Sequence, residues 1–338
     1  MTTTLKDLAA YCNLHPSTIS RVLRGKENLR ISEETRKKVF EAAKKLHYQP
    51  NQIARTLRLK KSNTIGLIVP DISNPFFSRI AHKIDNLAYD AGYMLIVVST
   101  DENQDKEYHF VEEMISRGVD GLMIIPVQRD DRHIRELLNG KQPLVLIDRD
   151  FETFKANIIV SDNKEASYNA VRHLYELGHK RIAVLSGRRD IYSIKKRIQG
   201  YLDAVDDFKL DHNPQLIRGD GHRIEDGFNA TMELLNLKNP PTALIISGNL
   251  ITVGALQAVR KNKLRIPRDI SIIGFTDSLY SEFLSTPLTT ISHPLHEIGE
   301  KSINLLFKHI NSNEALPYEK IVVKTRLTIR NSIGPPVK

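Results

Sequence analysis

The residues predict a composite fold: a small α-helical helix-turn-helix module at the N-terminus, followed by an α/β body whose parallel sheets form two lobes. Three observations carry this. First, residues 1–61 hold 14 Lys and Arg against 5 Asp and Glu, so that stretch carries the whole net charge of +9, and the remaining residues hold 35 of each sign. Second, short helical apolar stripes with capping residues fill that same stretch. Third, from Ser62 onward strand-sized apolar runs alternate with helical patterns, the signature of parallel sheets covered by helices. A length of 338 residues exceeds one ordinary core and suits a small module plus a two-lobed body.

In the basic stretch, Thr4 with Asp7 three residues on has capping-box spacing. Leu5, Leu8, Ala9 and Cys12 then repeat at i, i+3, i+4 and i+7, one face of a first helix. Asn13-Leu14-His15 breaks it, and Pro16 suits the first position of a second helix running to Leu23. Ile19, Val22 and Leu23 face inward there. Ser17, Thr18, Ser20 and Arg21 turn outward, small hydroxyls that admit close backbone approach to DNA and one guanidinium able to bond guanine in the major groove. Ser32 caps a third helix, whose Val39, Ala42, Ala43 and Leu46 repeat the core spacing, with Glu33 and Glu34 early and Lys44 and Lys45 late as the helix dipole favours. Positive charge confined to one compact unit is the footprint of phosphate binding. A basic membrane-surface helix fits less well, because the cations spread over several short helices without an aromatic belt.

Residues 51–58, Asn51 to Arg58, are helix-compatible but far too short for an isolated helix. Two readings stand. In one, two copies meet on DNA, with Leu57 as an apolar wedge between base pairs and Arg55 and Arg58 near phosphates. In the other, the segment is a flexible linker.

In the body, Thr64–Val69, Met94–Val98, Gly121–Ile125 and Leu144–Ile147 form one set of strands, and Ile182–Leu185, Ala243–Ile246 and Ser271–Gly274 a second. Helical patterns between them include Ser78 to Ala91 and Glu107 to Arg117. Open parallel sheets bind ligands beyond their carboxyl ends. The polar residues there are Asp71, Asp148, Ser186, Asn249 and Asp277. Nothing among them suggests catalysis: no glycine-rich dinucleotide fingerprint follows a strand, no phosphate-loop lysine motif occurs, and no His-x3-His pair shares a helix with Glu. The single cysteine, Cys12, forms neither an internal disulfide nor a metal cage. No apolar run reaches the roughly 20 residues of a membrane span, and no signal core follows Met1. The expectation is a cytoplasmic protein with no membrane partner, no cofactor, no metal and no enzyme activity.

The segments Thr4-Leu5-Lys6-Asp7-Leu8-Ala9, Ser17-Thr18-Ile19-Ser20-Arg21-Val22-Leu23, Ser32-Glu33-Glu34-Thr35-Arg36, Tyr48-Gln49-Pro50-Asn51, Ala54-Arg55-Thr56-Leu57-Arg58, Ile65-Gly66-Leu67-Ile68-Val69-Pro70 and Asn74-Pro75-Phe76-Phe77 together resemble the lactose and galactose repressor (LacI/GalR) family, over essentially the whole chain. The resemblance implies a hinge helix at 51–57 with Leu57 as its intercalating residue, base reading by the positions of Pro16, Ser17 and Arg21, and a body similar to periplasmic sugar-binding proteins with the effector held between lobes. It also implies effector contacts at Arg197 in Arg197-Ile198-Gln199-Gly200-Tyr201, at Ser193 one turn earlier, and at Phe76, Phe77, Asp148, His222, Asn249 and Asp277. Four departures stand out. Pro16 cannot read a base edge by hydrogen bonding, His15 replaces a serine cap, Gly248-Asn249 stands where the family commonly has Asn-Asp, and Thr276-Asp277 where it has Asp-Asp or Asp-Asn.

The expected protein is therefore a homodimeric regulator binding double-stranded operator DNA under control of a small effector. Residues 1–50 form the DNA-binding head, 51–62 the hinge and linker, and 63–338 the effector-binding and dimerisation body. Thr4, Pro16, Ser17, Thr18, Ser20, Arg21, Asn51, Arg55 and Leu57 are the expected DNA contacts. Arg197 is expected as an exposed cleft arginine of modest importance to folding. The ending Gly334-Pro335-Pro336-Val337-Lys338 carries no heptad segment, so a dimer is expected. Rival classes are a solute-binding transport protein or sugar enzyme on the same two lobes, which would show an export signal or a catalytic pair, and a nucleoid-type protein without sequence preference.

Overall fold

Each helix of the head begins where a side chain satisfies its first free N–H groups. In the computed structural model, which describes residues 3–23, 31–48, 61–312 and 314–337, Thr4 and Asp7 close the reciprocal capping box of α1 (Leu5–Cys12). The His15 imidazole caps α2 (Pro16–Val22), its Nδ1 accepting from the Ser17 N–H at 3.3 Å. Ser32 caps α3 (Glu33–Lys45). Leu8, Ala9, Cys12, Ile19, Val22, Val39 and Ala42 bury against one another as the three-helix core. The chain divides into two units, Met1–Ser62 and Asn63–Lys338.

The second unit contains two six-stranded sheets. The first, in spatial order β11-β5-β4-β3-β1-β2, is wholly parallel. Its strands are β1 (Thr64–Val69), β2 (Met94–Ser99), β3 (Gly121–Ile124), β4 (Leu144–Ile147), β5 (Asn157–Ser161) and β11 (Lys320–Val323). Helices α4 (Pro75–Asp90), α5 (Gln104–Ser116) and α6 (Arg132–Asn139) belong to this lobe. Both faces are covered, which is why the strands read as continuous apolar runs: Ile65, Leu67 and Val69 pack with α4, while Ile68, Leu122 and Ile124 join the cluster holding Val111, Met114 and Ile134.

The second sheet has the order β12-β10-β9-β8-β6-β7, parallel except for β12. It comprises β6 (Ile182–Leu185), β7 (Ile217–Arg218), β8 (Ala243–Ile246), β9 (Ser271–Phe275), β10 (Thr289–Ser292) and β12 (Arg326–Thr328), with α7 (Asn163–Glu176), α8 (Tyr192–Asp207), α9 (Ile224–Leu235) and α10 (Asn249–Lys261). The last helix, α11 (Leu295–Ile310), returns to the first lobe and shares its core through Leu295, Ile298 and Leu306. The chain therefore passes between lobes three times, after Ser161, after Ser292 and after Val323.

The helices at 78–91 and 107–117 begin earlier than the apolar pattern indicates. Asn74 Oδ1 accepts from the Phe76 N–H at 3.0 Å ahead of Pro75, and Asn103 caps Asp105 and Lys106. Polar capping side chains, invisible to an apolar stripe, set both starts. The strands β5, β7, β10, β11 and β12 are additions to the sequence reading; β11 and β12 are short, half-exposed edges of four and three residues.

Candidate functional site

In the head, Ser17 and Arg21 are exposed on α2, while Pro16, Thr18 and Ser20 are half-buried on the same helix. The Ser17 hydroxyl lies 2.8 Å from His15 Nδ1, and Thr4 is exposed but engaged with Asp7. The expected DNA contacts Asn51, Arg55 and Leu57 lie outside the described residues.

In the body, the carboxyl ends of both sheets meet around a cavity of about 110 Å³. Phe76, Phe77, Asp148, Ser193, Arg197, His222 and Asn249, seven of the eight residues expected there, line it together. The eighth requires correction. The Asp277 carboxylate is taken by Arg330, Nη1 to Oδ1 at 3.1 Å and Nη2 to Oδ2 at 3.0 Å, and it is not among the cavity's lining residues. Burial would raise its carboxyl, yet the Arg330 guanidinium holds it below the usual range. Ser186, another strand-end candidate, spends its hydroxyl on the Gly219 carbonyl at 2.6 Å.

Arg197 is the second correction. It is 7% exposed, and each edge of its guanidinium has a partner: Nε donates to Asn163 Oδ1 (2.8 Å), Nη1 to the Ser247 carbonyl (2.7 Å) and Nη2 to His293 Nε2 (3.3 Å). Its Cζ lies 4.2 Å from the Phe275 ring centroid. Burial lowers its pKa to about 10 against the opposing pull of Asp148. The Arg-x-x-Gly spacing has a steric reason: a Cβ on Gly200 would come within 2.0 Å of the Lys164 carbonyl oxygen. Glycine therefore lets α8 lie on the start of α7, next to the Asn163 that Arg197 bonds.

Asn163 and His293 both sit at passages between lobes, so Arg197 is tied to two of the three. Because Arg197 only donates, His293 Nε2 accepts, leaving Nδ1–H to donate to Ser161 Oγ at 2.8 Å. Burial, seconded by the Arg197 charge, pushes the His293 imidazole far below its usual value. The unfolded chain thus binds a proton near pH 6.5 that the folded chain refuses, so stability falls as pH drops through that value. Lowering pH from 7.5 to 5.5 is therefore expected to destabilise the folded chain through this group. Urea denaturation of His293→Gln at both pH values should show a smaller pH dependence than wild type; equal dependence would remove His293 as its source.

Asn249 accepts from the Thr276 N–H at 3.2 Å and from Ser278 Oγ at 3.0 Å, so its carbonyl braces the turn after β9. Phe76 meets Phe77 and His293 edge-on. Three buried polar atoms of cavity-lining residues, Asp148 Oδ1, Ser247 Oγ and Arg149 Nε, have no hydrogen-bond partner among the described residues. Sequence reasoning missed Glu102, Arg149, Arg188 and Ser247, which also line the cavity. They lie one to four residues beyond the apolar runs, Ser247 first after its run and Glu102 fourth after Val98, so the strand-end rule widened to four residues would have found them.

Residues 4–51 match the family described as bacterial regulatory proteins, lacI family, and residues 62–330 the family of periplasmic binding proteins and the sugar binding domain of the LacI family. Catabolite control protein A of Priestia megaterium is 32% identical over 334 residues, covering 98% of this chain and 99% of its own length. The transcriptional repressor CytR of Escherichia coli is 32% identical over 327 residues, 95% of each chain. Among solved structures, the lac repressor dimer bound to operator and an anti-inducer superposes with a TM-score of 0.87 at 26% identity, covering 99% of this chain and 100% of that one.

Proposed function

The chain belongs to the LacI family of bacterial regulatory proteins and is a DNA-binding transcription regulator controlled by a small effector, and from that premise we propose that the effector occupies the interlobe cavity, bonded first by Asp148. The carrying observation is the Asp148 carboxylate. It is 7% exposed, holds Ser193 Oγ at 3.3 Å with one oxygen and has no partner for the other. A buried carboxylate oxygen without a donor is costly and calls for one from a ligand.

Ser247 Oγ and Arg149 Nε add a hydroxyl and an N–H at the same cavity, while Phe76, Phe77, Ile191 and Ile194 supply apolar walls. Acceptor, hydroxyl, donor and ring faces suit a saccharide or related polyhydroxylated metabolite. Ser193, Arg197, His222 and Asn249 also line it, Arg197 chiefly by holding the walls in place.

In the head, Ser17, Thr18, Ser20 and Arg21 of α2 enter the major groove of a double-stranded operator, with Pro16 close to the bases and Thr4 near the backbone. Residues 1–50 act as the head, 51–62 as hinge and linker, and 63–338 as the effector-binding and dimerisation body. Apolar residues left exposed on the body, Tyr89 and Met94 on one lobe and Leu279 and Phe283 on the other, suit a homodimer contact. The working state is a cytoplasmic homodimeric repressor. Among the described residues no helix is long and apolar enough to cross a membrane.

Operator titration by fluorescence anisotropy, with and without a panel of mono- and disaccharides, tests this. One compound class is expected to shift operator affinity about 5- to 150-fold. Asp148→Asn should weaken that compound's effect about tenfold or more while effector-free operator binding persists. An unchanged response in the variant would move the effector elsewhere.

A further inference from the structure

The loops after β2, β3 and β4 of the first lobe share one feature. Each carries a non-glycine residue in the left-handed region: Glu102 at φ 56°, Gln128 at φ 68° and Asp148 at φ 65°. A side chain with a Cβ avoids that conformation, and such residues persist where surrounding contacts hold them, often at functional sites. All three contacts here reach across to the second lobe. Glu102 Oε2 accepts from Arg188 Nη1 at 2.9 Å, Gln128 Oε1 accepts from the Tyr192 N–H at 2.7 Å, and Asp148 Oδ2 accepts from Ser193 Oγ at 3.3 Å.

Arg188 is the centre of this set. Its Nη2 crosses the cleft a second time to the Val127 carbonyl at 3.2 Å and also donates to Asp190 Oδ2 at 2.6 Å in its own lobe. Glu102 is held from behind by Arg149, with bonds of 2.6 and 3.0 Å. The side chains of Glu102 and Arg188 are 8% and 10% exposed, so the pair is largely shielded from water and salt. The loop it grips is itself braced, because buried Glu107 accepts from the Val127 N–H at 2.7 Å.

We propose that Arg188, through Glu102 and Val127, is the clasp that holds the two lobes together across the cleft, with Gln128–Tyr192 and Asp148–Ser193 as its secondary bonds. Effector entry then requires Arg188 and Glu102 to part, which makes Arg188 the positioning residue that sets the ease of the response. This regulatory meaning rests on the interlobe cavity being the effector site; the closure itself is measured without ligand, so the two can fail separately.

Hydrogen–deuterium exchange of the effector-free full chain reads it directly. In wild type the Tyr192 amide is expected to be protected. Arg188→Ala should speed exchange about tenfold or more at 126–130 and at Tyr192, leaving the β9 strand Ser271–Phe275 unchanged. Glu102→Gln, which keeps the Arg149 contact in neutral form, should give a smaller change at the same peptides, and Arg188→Lys should recover part of the protection. An unprotected Tyr192 amide in wild type, or wild-type exchange at 126–130 in Arg188→Ala, would overturn the clasp. So would equal acceleration in Ser271–Phe275, which would make Arg188 a support of the whole fold. If the clasp result holds and Asp148→Asn leaves the saccharide response intact, the clasp stands and the effector site lies elsewhere.

Discussion

Removing Arg197 is expected to cost about 3–5 kcal/mol of stability, well beyond an ordinary surface substitution. Arg197→Ala leaves Asn163 Oδ1 and the Ser247 carbonyl without their donors in a buried site, takes the partner from His293 Nε2, and opens a void beside Phe275. Each stranded buried acceptor costs about 1–3 kcal/mol. The thermal midpoint should fall by about 5–9 °C. Arg197→Lys should recover less than half, since one ammonium cannot reach three diverging acceptors. A wild-type melting curve for Arg197→Ala would show that the network does not hold the lobes. Effector binding is expected to weaken as well, so a ligand titration alone does not separate the two roles.

Operator affinity should fall about 10³-fold or more between roughly 50 and 200 mM salt. The reason is the placement of charge: residues 1–61 carry the whole excess of +9, and the rest of the chain carries none. Each cation that meets a phosphate releases condensed counterions, and added salt opposes that release. Residues 63–338 alone should bind random DNA negligibly at any of these salt concentrations. Retained random-DNA binding by that fragment, or a flat salt dependence, would refute the assignment. Arg21→Ala separates base reading from phosphate attraction. It should cost about 1–3 kcal/mol at one base step and leave the salt slope nearly intact. Equal loss on every sequence, with a shallower slope, would make Arg21 a phosphate contact instead.

Local pattern carried a large part of this architecture. The Thr4–Asp7 box, the Ser32 cap and the stripe Leu8, Ala9, Cys12 each lie within one or two turns, where sequence spacing is spatial spacing. Most central strands are equally legible, because burial on both faces demands an unbroken apolar run, as in Ile65–Val69 and Leu144–Ile147. The cleft residues Phe76, Phe77, Asp148, Ser193, Arg197, His222 and Asn249 were reachable from strand ends and family resemblance together.

What the residues by themselves determined is the set of elements, the seat of the net charge, and the end of the sheets at which a ligand belongs. Tertiary structure alone decided which lobe each late element joins: β11 pairs with β5 and α11 packs on the first lobe, although both follow the strands of the second. It also decided the use of each charge. Asp277 was taken by Arg330, 53 residues away, Glu102 by Arg188 at 86 residues, and Arg197 by Asn163 and His293. The physical reason is that an apolar residue needs only burial, which periodicity records. A buried charge needs one particular partner, and that partner is chosen by where the chain crosses itself.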